Sequence, residues 1–532
     1  MKLRALIFLG TLCTPHLASA GGLFLPGSGA ISTSRAGAAV ASADDGEALS
    51  LNPAGLAKSK GTTISLSAAI ISYSMQFTRR GTYDTIADED PGYEGQPFGT
   101  VKNKPKLPLG VGSFQPVPVI AIVSDLGGRI PNLTVAAGMY APNAYPFRDM
   151  ANVNGEDYAF NGDFTRPPPA SRYDIVKQEA AVLLPSIAAA YRISPKLDVG
   201  ARFSLGFADL KSTTTIWGVP GNVEEFIKKD SQFSVDAKDS LIPAFGLGVA
   251  FRPTPNLEFA ASYNSQVTIH AKGSATSENG PNVNLNGEPI TIGPTDDQFA
   301  RCATGGTLEA QQACIDFALP MSAHLGARYK MLGADGVMRG DIELNVGWEN
   351  WGAELVKNYQ VVVDADIFVN GVSALSLKDN VVRHESKDTF NVRLGGSYHI
   401  PQGANTIILR GGIGHDTASA KAGWLRADID GAARTTFALG GAFRAKRFQI
   451  DVGGGFIYEG KPNNPGTCNV VSPSPDMLGC NNDGVERELE DRSGPDPINP
   501  ILVAESQLES PVSQGEYKSH YVLFMLGFST WF

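Results

Sequence analysis

The residue types that do chemistry are sparse in this chain, and their spacing points away from catalysis. The sequence has seven His and five Cys in 532 residues. It contains no G-x-S-x-G nucleophile turn, no H-E-x-x-H zinc pair and no G-x-x-x-x-G-K-[ST] phosphate loop. It therefore reads as a protein that is not an enzyme, with no catalytic residues and no cofactor. Four cysteines fall into two local pairs, Cys302 with Cys314 and Cys468 with Cys480, each twelve positions apart in polar stretches. In an exported protein such pairs read as two disulfides, although sequence alone does not fix which cysteine joins which. A zinc site would call for a C-x-x-C or a neighbouring His cluster, and neither pair has one, so no metal is expected.

Export itself is written at the start. Lys2 and Arg4 precede an apolar run, Ala5 to Leu12, and Ala18-Ser19-Ala20 forms a small-residue cleavage site. Residues 1–20 read as a signal peptide, with Cys13 discarded along with it. Beyond them no run approaches the 20 or so apolar residues that a membrane helix needs. The net charge of −10 argues against a nucleic-acid partner.

The chain has 59 glycines and only 18% charged residues. From Gly61 onward its apolar residues recur at period two. Leu197, Val199, Ala201, Phe203, Leu205 and Phe207 alternate with Asp198, Gly200, Arg202, Ser204, Gly206 and Ala208, and Ile342, Leu344, Val346 and Trp348 alternate with Asp341, Glu343, Asn345 and Gly347. One face is oily with aromatic ends, and the other is small or charged, the pattern of a transmembrane strand. Fourteen such segments are expected, near 64–77, 113–123, 132–146, 180–193, 196–215, 241–252, 256–271, 320–330, 338–356, 385–399, 405–415, 434–445, 447–460 and 517–532. Long connections near 81–112, 147–179, 217–240, 272–319, 357–384 and 461–516 alternate with short ones, and Leu308 to Ala318 is expected to form a short helix. The fold class is thus all-β, a transmembrane antiparallel β-barrel of 14 strands spanning 61–532 in a bacterial outer membrane, facing lipopolysaccharide and expected to be a monomer. Closure is required because lipid offers no partner to a strand edge. The final strand ends on Phe532, a terminal aromatic suited to barrel-assembly machinery. Pro142 lies inside the third expected strand, in Tyr140-Ala141-Pro142-Asn143, where the missing N–H implies a bulge or break.

One stretch carries a resemblance. Arg35-Ala36-Gly37-Ala38, then Asp44-Asp45-Gly46, then Leu51-Asn52-Pro53-Ala54-Gly55-Leu56 resembles the N-terminal region of the FadL-type outer-membrane transporters of long-chain fatty acids and other hydrophobic compounds. Weaker likenesses follow at Ala190-Tyr191-Arg192, Trp348-Glu349-Asn350-Trp351, Lys387-Asp388 and Leu409-Arg410-Gly411-Gly412, so the likeness spans the mature chain. It implies a barrel blocked by an N-terminal hatch, here residues 21–60 with Asn52, Pro53 and Ala54 at its turn. It also implies a hydrophobic ligand held in an apolar lumenal pocket, and lateral exit at a kinked third strand, here Tyr140, Pro142 and Asn143. The family's apolar N-terminus reaches the ligand, which makes Leu23, Phe24 and Leu25 candidate pocket residues. A basic residue before a His-Glu pair serves the fatty acid head group, and Arg383 in Arg383-His384-Glu385 matches it. The expected function is uptake of hydrophobic molecules, long-chain fatty acids first; a second basic position reads Thr214 here, a departure that weakens fatty acid specificity and leaves aromatic or other hydrocarbons, which lack a carboxylate, as the alternative. A structural or adhesive barrel is the reading of another class, and it would need no apolar lumen.

Overall fold

The computed structural model describes residues 22–86, 91–104, 115–142, 147–216, 225–285, 287–377, 380–384, 386–421, 424–429, 431–464 and 513–532. The expected signal at 1–20, Gly21, Asn143, Cys468 and Cys480 lie outside them.

Fourteen antiparallel strands form the wall. They are β1 (Thr62–Arg79), β2 (Gln115–Ser124), β3 (Leu133–Tyr140), β4 (Lys177–Ser194), β5 (Leu197–Ile216), β6 (Ser231–Phe251), β7 (Leu257–Asn264 and Val267–Asn279), β8 (Gln311–Leu319 and Ser322–Leu332), β9 (Met338–Glu349 and Asn358–Val369), β10 (Asn380–Arg383 and Thr389–Gln402), β11 (Asn405–Asp416), β12 (Arg434–Arg444), β13 (Phe448–Tyr458) and β14 (Gly515–Trp531). Each bonds to the next, and β14 bonds back to β1 from Thr63↔Trp531 to Arg79↔Gly515. The sheet therefore has no free edge, which meets the demand that lipid places on backbone polar groups.

Outward side chains are oily around the whole cylinder. Phe203, Leu205, Phe245, Leu247, Leu344, Val392, Phe437, Leu439, Val452, Phe524 and Leu526 are all exposed, as a hydrocarbon-facing band requires. Inward positions on the same strands are charged or polar and buried: Asp198, Arg202, Glu258, Asp341, Glu343 and Arg393. This is the reverse of a soluble sandwich.

Several connections turn out to be strand. β6 begins at Ser231, so the expected loop 217–240 is half sheet. Leu308 to Ala318 is not helical: Gln311–Leu319 is the upper piece of β8 and pairs with β7 from Val267↔Leu319 to Ala275↔Gln311. Asn358–Val369 likewise extends β9. The reason is common to all three. Here the outward face carries Asp236, Lys238, Lys272 and Asp316, and a strand that has risen past the oily band loses the alternation that marks it. The third strand is shorter than expected and ends at Tyr140.

Four neighbouring strands break at one level. β7 is interrupted between Asn264 and Val267, β8 between Leu319 and Ser322 at Pro320, β9 between Glu349 and Asn358, and β10 between Arg383 and Thr389. The flanking pairs Asn264↔Ser322, Ser322↔Glu349 and Glu349↔Thr389 put these breaks side by side. At β9 the break carries a one-turn helix, Glu354–Lys357, and tucks Trp351 inward, where it is buried. Cys302 and Cys314 are disulfide-bonded, with Cα atoms 5.5 Å apart, and join the segment ahead of β8 to its upper piece.

Residues 22–60 hold two one-turn helices, Ala30–Thr33 and Ala48–Leu51, and a 3-10 turn, Pro53–Lys58. They lie against the inner face of the wall. A Cβ placed on Gly200 (β5) would strike Pro53 and Ala54, one on Gly395 (β10) would strike Arg35 and Ala38, and one on Gly440 (β12) would strike Ser34. Wall glycines on opposite sides of the cylinder thus make room for one segment. Gly200→Val should cost about 1–3 kcal/mol through overpacking, read as a lower melting temperature and faster proteolysis near residue 53. Gly454→Ala, where the nearest atom is 3.8 Å away, is the silent control.

Candidate functional site

The lumen is built from the bottom by charge. Arg35 clamps Asp341 through two bonds, 3.0 and 2.9 Å, and reaches Glu343 at 3.3 Å. Glu343 also accepts the backbone N–H groups of Ala41 (2.7 Å) and Ser42 (3.0 Å). Asp341 takes Arg328 at 2.7 Å, Glu258 takes Lys58 and Lys330 at 2.8 Å each, and Asp198 takes Arg252 at 2.7 Å. Every one of these carboxylate side chains is fully buried. Asn52 donates to Val40 O at 2.9 Å and accepts from Ala54 N at 3.1 Å, which fixes the turn into Pro53. Pro53 has no N–H to satisfy, so it starts the 3-10 turn without cost.

Above this floor lie two cavities. The larger, about 410 Å³, is walled by Val182, Leu210, Phe233, Ile315 and Phe317 of β4–β8 and by Trp351 from the break in β9. It falls within the range of about 300–1,000 Å³ typical of sites that bury a small ligand. The smaller, about 150 Å³, is polar on one side, with Arg202, Asn264, His324 and Arg393. Ala141, Pro142 and Leu319 border both. Leu23 faces the larger cavity, while Phe24 and Leu25 face the smaller, so the tip of the N-terminal segment stands between them. Phe24 packs edge-on against Trp351 at 5.6 Å.

The two arginines of the smaller cavity are already engaged. Arg202 donates to Leu49 O (2.9 Å) and Asn264 (3.0 Å), and its guanidinium stacks on Tyr140 at 4.9 Å. Arg393 pairs with Asp416 at 2.6 Å.

The larger cavity reaches a weak place in the wall. The β3–β4 ladder runs from Leu133↔Tyr191 to Tyr140↔Leu184 and resumes at Arg148↔Gln178. Across that interval the cavity is lined by residues from both faces of β4: inward Ala180 and Val182, and outward Ala181 and Leu183. Prolines cluster about this level: Pro118 in β2, whose carbonyl accepts Ala141 N–H at 3.2 Å; Pro142, two residues past the end of β3; and Pro185 in β4, opposite Met139. None can donate to a ladder.

Toward the outside, loops close over the lumen through a second charged cluster. Arg172 pairs with Glu225 (2.7 Å) and Asp230 (3.2 Å), Arg79 also pairs with Glu225, and Tyr173 donates to Asp230 at 2.8 Å. Burial pushes the Asp230 carboxyl up to about 7, against the pull of Arg172 and the Tyr173 hydroxyl.

Leu23, Phe24, Leu25, Tyr140 and Pro142 thus meet at the cavities, and Asn52, Pro53 and Ala54 lie below them. Arg383 does not join this group by any described contact: its backbone pairs with Asn358 and its side chain is outside the described residues. Trp351 stands in a quoted motif and Ile429 in a connection, and nothing in their spacing marked them as cavity residues. Asp341 and Glu343 were visible as charges on the inner face of β9.

A closed 14-stranded barrel with an oily exterior, a filled floor and an apolar lumenal cavity defines a class of outer-membrane transport protein for hydrophobic compounds. A family profile described as "Outer membrane protein transport protein (OMPP1/FadL/TodX)" matches residues 11–464. The chain belongs to that family, whose members are transport channels in the bacterial outer membrane and not enzymes. Solved structures share the fold. A Pseudomonas aeruginosa FadL homologue superposes with a TM-score of 0.63 at 11% identity, covering 96% of this chain and 100% of that one. The Pseudomonas putida toluene transporter TodX gives 0.57 at 14% identity, and the Ralstonia pickettii toluene transporter TbuX gives 0.56 at 14%, each covering 96% of this chain and 99% of theirs. No curated protein sequence matches the chain.

Arg35→Met leaves Asp341 and Glu343 short of their guanidinium, and a broken buried pair costs about 3–5 kcal/mol. Residues 22–60 should become protease-sensitive, and Arg35→Lys should not restore them, because an ammonium cannot make the two-pronged bond. For Asp230, the folded state holds its proton more tightly than the unfolded chain. That contribution is complete below about pH 4 and is lost as pH rises through about 7. Protection factors at 170–176 and 225–231, taken after division by the intrinsic exchange rate at each pH, should be higher at pH 5.5 than at pH 8.5, and Asp230→Asn should remove that difference.

Proposed function

We propose that this chain takes up neutral hydrophobic compounds, of hydrocarbon type, through the larger cavity and releases them sideways between β3 and β4. The observation that carries the reading is the cavity's double contact with β4, on its inward and outward faces, where the β3–β4 ladder is interrupted. A solute there need not pass the floor. In this reading residues 21–60 act as a hatch, and the buried pairs of Arg35 and Lys58 oppose its displacement.

The choice of a neutral solute rests on the walls. Among the described lining residues the one cation is Lys211, ion-paired to Asp236 at 3.1 Å, and the acids Asp174 and Glu179 share the lining. A carboxylate leaving water for such a place would need a donor or counter-ion, whereas an apolar surface gains about 25 cal/mol per Å² buried. Long-chain fatty acid uptake is the second reading, favoured by Arg202 and Arg393 in the adjoining polar cavity. It requires one of them to exchange a protein partner for the head group.

Displacement of a lipophilic fluorophore from purified protein decides between the two. Alkylbenzenes should compete, and a long-chain fatty acid should compete no better than its methyl ester. Stronger competition by the free acid would favour the second reading, and competition by neither would remove the transport assignment. For the exit, Ala181→Trp should fill the gap and lower uptake in cells about tenfold or more while leaving fluorophore binding intact. Unchanged uptake would argue against release at β3–β4.

A further inference from the structure

The connection between β11 and β12 does not lie on the surface as loops normally do. Its described residues turn inward: Ala418, Trp424, Leu425, Arg426, Ala427 and Asp428 are all buried. Leu425 and Ala427 pack with Tyr73, Met75 and Tyr517 of β1 and β14, in a cluster that continues down to Leu25. One side of the lumen is therefore packed from the N-terminal segment to this loop, and the larger cavity lies on the other, lined mainly by β4–β9. The chain leaves the packed side at Ile429, which borders the larger cavity.

The backbone at Ile429 is anchored through Asp428 to a network of buried groups. Its own N–H donates to Asp428 at 2.8 Å. Asp428 in turn binds His384 (2.9 Å) and Tyr359 (3.3 Å) and pairs with Arg426 at 3.4 Å. Arg426 pairs with Asp174 at 3.0 Å, on the segment leading into β4. The carbonyl of Leu425 accepts from Asn464 (2.8 Å) and Tyr517 (3.2 Å). The loop is thus tied to β9, to the break in β10, to β14 and to the approach to β4, which are the elements that frame the cavity. A side chain held this way cannot move aside for a bulky solute without breaking buried charge pairs.

We infer that Ile429 is a specificity-determining residue, setting the bulk of the hydrophobic solute the cavity accepts, and that Arg426 is its positioning residue. The inference rests on the uptake reading above and goes beyond it, because it assigns selectivity to a loop residue that shares no strand with the pocket. A close-packed aliphatic wall discriminates by about 10-fold or more for each methylene of misfit. Shortening Ile429 should therefore shift preference toward larger rings or branched substituents, and enlarging it should exclude them first.

The test uses the full-length protein in detergent and the same fluorophore, displaced by toluene, isopropylbenzene and tert-butylbenzene. Ile429→Ala should raise the affinity for tert-butylbenzene relative to toluene about tenfold, and Ile429→Phe should lower that ratio by a similar factor. Arg426→Met should flatten the ratio among the three solutes, and Arg426→Lys should keep part of the selectivity. A residue that merely supported the fold would change all three affinities together and leave the ratio alone. Leu439→Ala, on the oily outer face, controls for general loosening. If wild-type protein binds none of the three, the uptake reading falls and this inference with it. If wild-type binds them and the ratio is the same in Ile429→Ala and Ile429→Phe, the inference alone is overturned.

Discussion

A backbone N–H or C=O facing hydrocarbon finds no water, so each must bond within the sheet or cost several kcal/mol. That constraint explains the closed ring from β1 to β14, and it gives meaning to an interval where the ring is slack. Past Tyr140↔Leu184, at Ala141 and Pro142, the described wall leaves the β3–β4 ladder at the level where the cavity reaches it. Pro142, which follows the end of β3 in that interval, has no N–H to give a ladder, so part of the loss is built into covalent structure.

The interior obeys a different rule. Its inner face is charged, yet the charges are spent on protein: Arg35 on Asp341, Lys58 on Glu258, Arg393 on Asp416 and Arg426 on Asp174. What remains open to a solute is the aliphatic and aromatic part of the wall. The charged groups thus do two things at once. They hold the N-terminal segment and the inward loop, and by pairing with each other they leave the cavity without a free charge to solvate. A diffusion pore would show the opposite, with charged groups bared to a water column.

Period-two alternation made the barrel and its number of strands legible, because lipid requires an oily residue at every second place. The reading failed at 231–240, 311–319 and 358–369, where the sheet continues above the membrane and water tolerates Lys238 or Asp316 on the outer face. Of the site, Leu23 to Leu25 were visible as an apolar end in a familiar motif, while Pro142, expected inside the third strand, lies two residues beyond its end at Tyr140. Trp351 and Ile429 were not visible. Both lie in breaks or loops that fold into the lumen, and such segments have no period: their environment is set by distant strands, not by their neighbours in sequence. Arg383 was reached by likeness alone, and no described contact connects its side chain to the cavity.

The Cys302–Cys314 link closes a loop of only a dozen residues, so its formation depends little on the rest of the cylinder. Thiols stay reduced in the cytoplasm and oxidise after export. The sheet's outer extension therefore acquires its clasp only once the polypeptide has left the compartment where it was made. Until then the region ahead of β8 stays pliable, which suits a chain that must be threaded through one membrane before it is rolled up in another.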